Sequence, residues 1–312
     1  MGVFVSFLSG AVRLGTTFLY GSTGETLTEK SGHLNLGIPG IMCFGALGGC
    51  IGVSMVGSVP VLTVLVAIIF SFCFAGLLGL LYSFLTVTLR CNQNVTGLTI
   101  TTFGVGCTNH FISQVNTSSF SRASTHFTNL FTFHENLGWF GELFLSYGIM
   151  VYLAIAIAIL ASLFLTKTKK GLYLRAVGEN PATADAAGIS VTAYRYVATI
   201  IGSGIAGLGG LFYIMDYLTG SWEYTIDAMG WLSIALVIFT VWKPNIGILG
   251  SFLFGGLYIL ANYVAVSFAM MNILKMIPFF VTIVVLIVTS IVGKKETQPP
   301  ASLGLNYFRE ER

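Results

Sequence analysis

The sequence has little charge: 9% of its 312 residues are Asp, Glu, Lys or Arg, against roughly 25% in an ordinary soluble domain. That scarcity excludes a soluble globular fold, and no nucleic-acid polymer is expected as a partner. Cysteine is sparse too. Cys43, Cys50, Cys73, Cys91 and Cys107 are odd in number, lack any Cys-x-x-Cys spacing and fall mostly inside apolar runs, so no disulfide framework follows. No Gly-x-x-x-x-Gly-Lys-Ser/Thr loop occurs, which excludes nucleotide binding by a P-loop. His33, His110, His126 and His134 show no i, i+4 pairing, so no metal ligands are expected. No Gly-x-Ser-x-Gly elbow and no pair of carboxylates within an apolar run is found. No catalytic residues are therefore expected, nor a cofactor, and the chain is not read as an enzyme. Arg13 and Glu25 are the only charges in the first apolar run, which is thin support for an ion-coupled carrier. A removable leader is not expected either, since no basic start precedes the first hydrophobic run.

What is present is apolar. Hydrophobic residues make up 55% of the chain, and the mean hydropathy is +0.85. A spanning helix needs about 20 mostly apolar residues. Five runs qualify without an internal charge: Val61 to Leu89, Leu143 to Leu165, Val197 to Met215, Ile246 to Leu274 and Met276 to Val292. Shorter or glycine-interrupted candidates are Phe4 to Leu27, Leu36 to Val56, Val95 to Ile112 and Gly230 to Trp242. The expected fold is all-α: a polytopic integral membrane helical bundle of about eight or nine transmembrane helices, one or more of them broken. Residues 1–293 form the membrane domain, with a polar loop at 166–195, and residues 294–312 are expected to be a flexible tail. Lys167, Lys169, Lys170, Arg175 and Arg195 flank the loop, and Lys294, Lys295, Arg309 and Arg312 lie in the tail. The positive-inside rule makes both regions cytoplasmic, with the N-terminus outside.

Inside that loop lies "RAVGENPATADAAGIS", Arg175 to Ser190. Capping rules read it as a very short helix: Asn180 is the N-cap, Pro181 the first helical residue and Gly188 the terminator. About two turns remain between them, marginal for an isolated helix in water. A second segment, "GETLTEKSGHLNLGIPGIM" from Gly24 to Met42, passes from the first run through a turn with Asn35, Gly37, Pro39 and Gly40. It reads either as a tight turn or as non-helical backbone lining a cavity. Gly202, Ala206 and Gly210 recur every four residues, as do Gly45, Gly49 and Val53, which reads as close helix packing in lipid. Thr99, Thr102 and Asn109 share one helix face, and Tyr258 and Asn262 share another. These stripes, with Asn35 and Gly37, are candidates for a path taken by an uncharged, hydrogen-bonding solute; bonding to neighbouring helices is the plainer alternative. Tyr217, Trp222, Tyr224, Trp231 and Trp242 are read as interfacial aromatics, and Asp216, Glu223 and Asp227 as solvated loop acids.

Those two segments, with "GSGIAGLGG" after the loop segment, resemble the permease subunits of bacterial ABC importers. The match looks closest to the branch that handles nucleosides and simple sugars, related to branched-chain amino acid permeases. It runs roughly from Gly15 to Val292. His33 and Pro39, and Thr240 and Val241 in place of a usual Gly-Arg, depart from the pattern and bear on substrate more than on fold. The resemblance implies a permease in the bacterial plasma (inner) membrane that works with a separate ABC ATPase subunit, which binds the ATP. It also implies a second permease subunit, a different homologous chain, and a substrate-binding lipoprotein or periplasmic protein. Asn180, Pro181, Ala184, Asp185, Ala187 and Gly188 would then be the ATPase-coupling helix, with its alanines presenting a flat docking surface. Nucleosides are the leading substrate. Simple sugars or branched-chain amino acids are alternatives, as is an ion-coupled carrier with no ATPase.

Overall fold

A computed structural model of the chain describes residues 2–56, 59–128, 138–264, 268–292 and 298–308, and within these every regular element is a helix. His134 and the tail residues Lys294, Lys295, Arg309 and Arg312 lie outside the described residues. The apolar runs become helices because lipid offers the backbone no partners, so each N–H and C=O must bond within its own segment. The first four long ones are α1 (Gly2–Glu29), α2 (Ile38–Val56), α3 (Pro60–Ser83) and α4 (Gln93–Ile112). Short helices α5 (Phe120–Thr128) and α6 (Gly138–Phe144) lead into α7 (Ile149–Lys167). The polar loop folds as α8 (Lys169–Glu179) and α9 (Pro181–Ala186), after which come α10 (Val191–Phe212), α11 (Ile226–Phe239), α12 (Pro244–Tyr263), α13 (Phe268–Lys275) and α14 (Ile277–Val292). The run expected from Ile246 to Leu274 is broken at Val264, where α12 ends. Among the described residues seven stretches are long and apolar enough to cross a membrane, and α11 is a shorter apolar helix.

Helices α2 and α10 are the most enclosed, with α3 packed against both and α1 against α10 and α12. The small-residue stripes make this possible. Gly45 lies against Gly207, and Gly202 against the Gly24 carbonyl, at distances that leave no room for a Cβ. Close backbone approach supplies the dispersion contact that replaces the hydrophobic effect between helices in lipid. Around this centre the outer faces of α3 and α14 carry Val61, Leu65, Ile69, Phe280, Ile283 and Ile287, all exposed.

Both α3 and α10 end in a single π-helical turn, Phe84–Thr88 and Tyr213–Tyr217. Such wide turns change the angle at which the following side chains leave the helix. In α10 the turn carries Asp216, which is fully buried and paired with Arg13 of α1 at 3.2 Å. Asp216 is therefore not a solvated loop acid: α1 and α10 bring it to the one arginine within the first span.

Candidate functional site

One end of the bundle gathers the turns at residues 30–37, 89–92 and 240–243, the α8–α9 loop and residues 298–308. Lys30, Arg90, Lys169, Lys170, Arg175, Arg195 and Lys243 all belong to it. At its surface stands α9. The Asn180 side chain accepts the Thr183 N–H at 3.0 Å, Pro181 opens the helix, and Gly188 closes it at φ +80°. The Ile189 N–H reaches back to the Ala184 carbonyl at 3.0 Å and the Gly188 N–H to that of Asp185 at 2.9 Å, a C-terminal pattern that needs a left-handed residue. Ala182, Thr183, Ala186 and Ala187 are exposed on α9. Ala184 is not. It is buried against Val177 and Val191, with Ile189, Tyr194 and Tyr307 around it, so it anchors the helix and offers no outward surface. The inward turn follows from helical spacing: in six residues one face must pack on α8 and α10.

The end of the chain also contributes. Of the expected flexible tail, residues 298–308 are hydrogen-bonded to α8, the turn after α3, α9 and α10. Ser302 donates to the Gly178 carbonyl at 2.6 Å, Asn306 to that of Arg90 at 2.7 Å, and the Tyr307 hydroxyl to the Asp185 carboxylate at 2.8 Å. Arg195 Nη1 donates to the Leu305 carbonyl at 3.1 Å.

Beneath this surface lies a buried polar cluster. Helix α1 extends to Glu29, so Glu25 and Glu29, one turn apart and both fully buried, form the carboxylate pair that the apolar-run boundaries concealed. Glu29 accepts the indole N–H of Trp242, which is buried and not interfacial. Glu25 accepts the Asn35 N–H at 3.0 Å, and Asn35 Oδ1 accepts the Gly37 N–H at 2.9 Å. The α1–α2 connection is thus the tight turn of the two readings, sunk into protein. Side chains from other helices satisfy its backbone: Gln93 accepts the Leu34 N–H at 2.8 Å, Tyr82 donates to the Leu34 carbonyl, and Thr101 donates to that of Leu36 at 2.9 Å. A buried loop is stable only when its backbone groups are paired in this way.

His33, in the same turn, is fully buried and bridges Thr199 at 2.8 Å and Thr86 at 2.7 Å. Because the Thr86 hydroxyl donates to the Tyr82 carbonyl at 2.7 Å, it accepts from Nε2–H, and Nδ1 accepts from Thr199. Burial, reinforced by the Arg195 guanidinium, holds the imidazole down to about 3. It is a neutral crosslink. Lys30 is lowered as well, chiefly by burial, with its ammonium 6.0 Å from the Trp242 ring.

The candidate path residues are not brought together. Thr99, Thr102 and Asn109 lie on the exposed side of α4, away from its contact with α2, and the two threonine hydroxyls donate to the Val95 and Leu98 carbonyls at 2.9 and 3.1 Å. Tyr258 is half-buried on α12 beside Phe18, and Asn262 is exposed. Asn35 is consumed in the turn. Glu29 does not stand out in the sequence, and Trp242, Arg195 and Asp216 were given other places there; the i, i+4 spacing of Glu25 and Glu29 was the available signal.

This fold and site define a multi-pass helical membrane protein with a structured polar end. The family model described as branched-chain amino acid transport system, permease component, matches residues 7–288, and the chain belongs to this family of ABC transporter permeases. It is 30% identical to a nucleoside ABC transporter permease of Lactococcus lactis over 307 residues, covering 95% of this chain and 94% of that one. A guanosine ABC transporter permease of Bacillus subtilis is 28% identical over 309 residues, 93% and 92% of the two chains. A putative glucose ABC transporter permease of Haloferax volcanii is 32% identical over 258 residues, 82% and 76% of the two chains. No solved structure matches.

Proposed function

We propose that this chain is the transmembrane subunit of an ATP-driven importer for nucleosides, docked through α9 to a separate ATPase that binds the ATP. The observation that carries the reading is α9 itself, a six-residue helix capped at both ends and buried on one face, standing at the basic end of the bundle. A helix this short persists only because the fold holds it, and a small rigid body of that kind can pass on force from a neighbouring subunit. The positive-inside rule puts this end in the cytoplasm, where an ATPase works. Near-full-length similarity to permeases named for nucleosides and guanosine supports the substrate. Nucleosides need hydrogen bonds and stacking and no counter-ion, in keeping with so few charges.

The path lies between this chain and a second, homologous permease. The polar side of α4 with Thr99, Thr102 and Asn109 is exposed in the single chain, and an amide such as that of Asn109 is costly against lipid but not along a wet path. A substrate-binding lipoprotein or periplasmic protein delivers solute at the opposite end, and the whole resides in a bacterial plasma membrane.

Docking is tested on an exposed α9 residue. Ala187→Glu, in the transporter reconstituted with its ATPase, should abolish nucleoside uptake while hydrolysis in detergent persists and the chain still inserts. Normal coupled uptake in that variant refutes docking through α9. The buried Glu25–Glu29 pair favours a second reading, an ion-coupled carrier. Uptake by this chain alone in vesicles, driven by a proton gradient, would establish that reading and overturn the first.

A further inference from the structure

Two apolar grooves open between the membrane-spanning helices, and one charge tells them apart. The first, about 730 Å³ between α1, α6, α7 and α12, has no charged side chain among the described residues of its lining. The second, about 580 Å³, lies between α7 and α10 and is closed at the polar end by α8, which contributes Lys170. Its walls match. Ile157, Leu160, Ala161 and Phe164 on α7 and Tyr194, Val197, Ala198 and Ile201 on α10 share the same i, i+3, i+4, i+7 spacing. Leu27 of α1 is the floor, and its place midway between Glu25 and Glu29 turns it away from both carboxylates. From Ala193 to Ile205 the groove follows α10 for about 18 Å, comparable to one leaflet of a hydrocarbon core about 30 Å thick. Leu160, Val197 and Ile201 are exposed in it.

The mouth is basic. Lys170 is exposed, as are Lys167 and Lys169 beside it in the sequence, and a lysine stem can lie on an apolar wall while its ammonium stays at the membrane surface. Among the described residues Lys170 has no carboxylate partner. Glu179, the one acid of α8, stands at the other end of that helix, about 13 Å along its axis. Tyr194 meets Tyr173 of α8 edge to face at 6.4 Å, and such amphipathic rings suit headgroup level.

We propose that this groove holds one anionic phospholipid, with an acyl chain between α7 and α10 and the phosphate at Lys170. A concave wall touches a chain along more of its length than a convex helix does, so dispersion favours a retained lipid. Cations at the cytoplasmic mouth of an interhelical groove select an anionic headgroup. No described residue of α4 lines it, so a second permease seated on the α4 side leaves it to lipid. The lipid would brace α8, and through it α9, against the spans.

The full-length chain tests this in nanodiscs of phosphatidylcholine, with and without phosphatidylglycerol at constant ionic strength, and by native mass spectrometry after release. The wild type should retain one phosphatidylglycerol and gain thermal stability saturably as that lipid is added. Lys170→Gln should lower retention at least fivefold, whereas Arg122→Gln, which removes an exposed cation of α5 outside the groove, should leave it unchanged. Val197→Trp, placed on the exposed part of the wall, should lower retention with Lys170 intact. Equal retention by wild type and Lys170→Gln, or an equal loss in Lys170→Gln and Arg122→Gln, overturns the proposal. So does a photo-crosslinker at position 197 that captures the second permease, and no phospholipid, in the assembled transporter.

Discussion

The two ends of the bundle satisfy buried polarity in different ways. At the end opposite α9, Asp216 has a single charged partner among the described residues, Arg13, and its Oδ2 has no hydrogen bond to any of them. At the α9 end, the turn at 30–37 is braced by Glu25, Tyr82, Gln93, Thr101 and the His33 bridge, each a separate and mostly neutral bond. One end therefore rests its buried acid on one ion pair, while at the other the 30–37 turn is held by a network that stands beside the buried Glu25–Glu29 carboxylates and Arg195. Loss of one partner should be severe at the first and partial at the second.

The sharpest way to break this comparison is Arg13→Ala. It strands the Asp216 carboxylate in protein, and breaking a buried pair costs about 3–5 kcal/mol. Since the Arg13 side chain is 32% exposed, about 3 kcal/mol is expected, read as a loss of thermal stability in detergent. Adding Asp216→Asn should restore most of it. If the single variant is as stable as the parent, the far end does not depend on this pair.

At the α9 end the corresponding test is pH. His33 is held at about 3 in the fold against 6.5 when free. As pH falls from 6.5 towards 3 the unfolded chain takes up a proton that the folded one refuses. Stability is therefore full above 6.5 and declines across that window, by at most about 1.4 kcal/mol per pH unit. His33→Gln should be flatter than the wild type there. Parallel curves would mean that the imidazole is not held neutral.

A smaller effect is expected at the neighbouring turn, where Val241 and Trp242 sit at φ 55° and 54°. A β-branched residue is strained in that region. Val241→Gly should stabilise the chain by about 1 kcal/mol, net of the backbone freedom that glycine adds to the unfolded state. The strain brings the Trp242 indole to Glu29, a bond the variant should keep. Destabilisation would show that the Val241 side chain matters more than its backbone.

Most of the helices were legible because each apolar run must pair its own backbone in lipid. The ends of α9 were legible because Asn, Pro and Gly have strong positional preferences. Ala184 was misread because a run of alanines looks alike on every face until a helix has neighbours. The polar cluster was hidden because Glu29 lies beyond the last apolar residue of the first run and its partners lie in α3, α4, α10 and the turn before α12. Residues 298–308 look like any polar tail, and only the acceptors at Gly178, Arg90 and Asp185 give them a place.

The smallest stability effect is expected at Thr99, where fold and path can be separated. Thr99 is exposed, and among the described residues its hydroxyl bonds to its own helix, at the Val95 carbonyl. Thr99→Val removes a local bond that contributes little in a helix, so thermal stability should change by less than about 0.5 kcal/mol. If the exposed side of α4 lines the path, the same substitution should slow nucleoside uptake several-fold while ATPase coupling through α9 is unchanged. A residue that merely faced lipid would leave both quantities alone, since valine suits lipid better than threonine. Unchanged uptake in Thr99→Val and also in Asn109→Leu would move the path off α4, to a surface of the bundle that the two polar stripes do not mark.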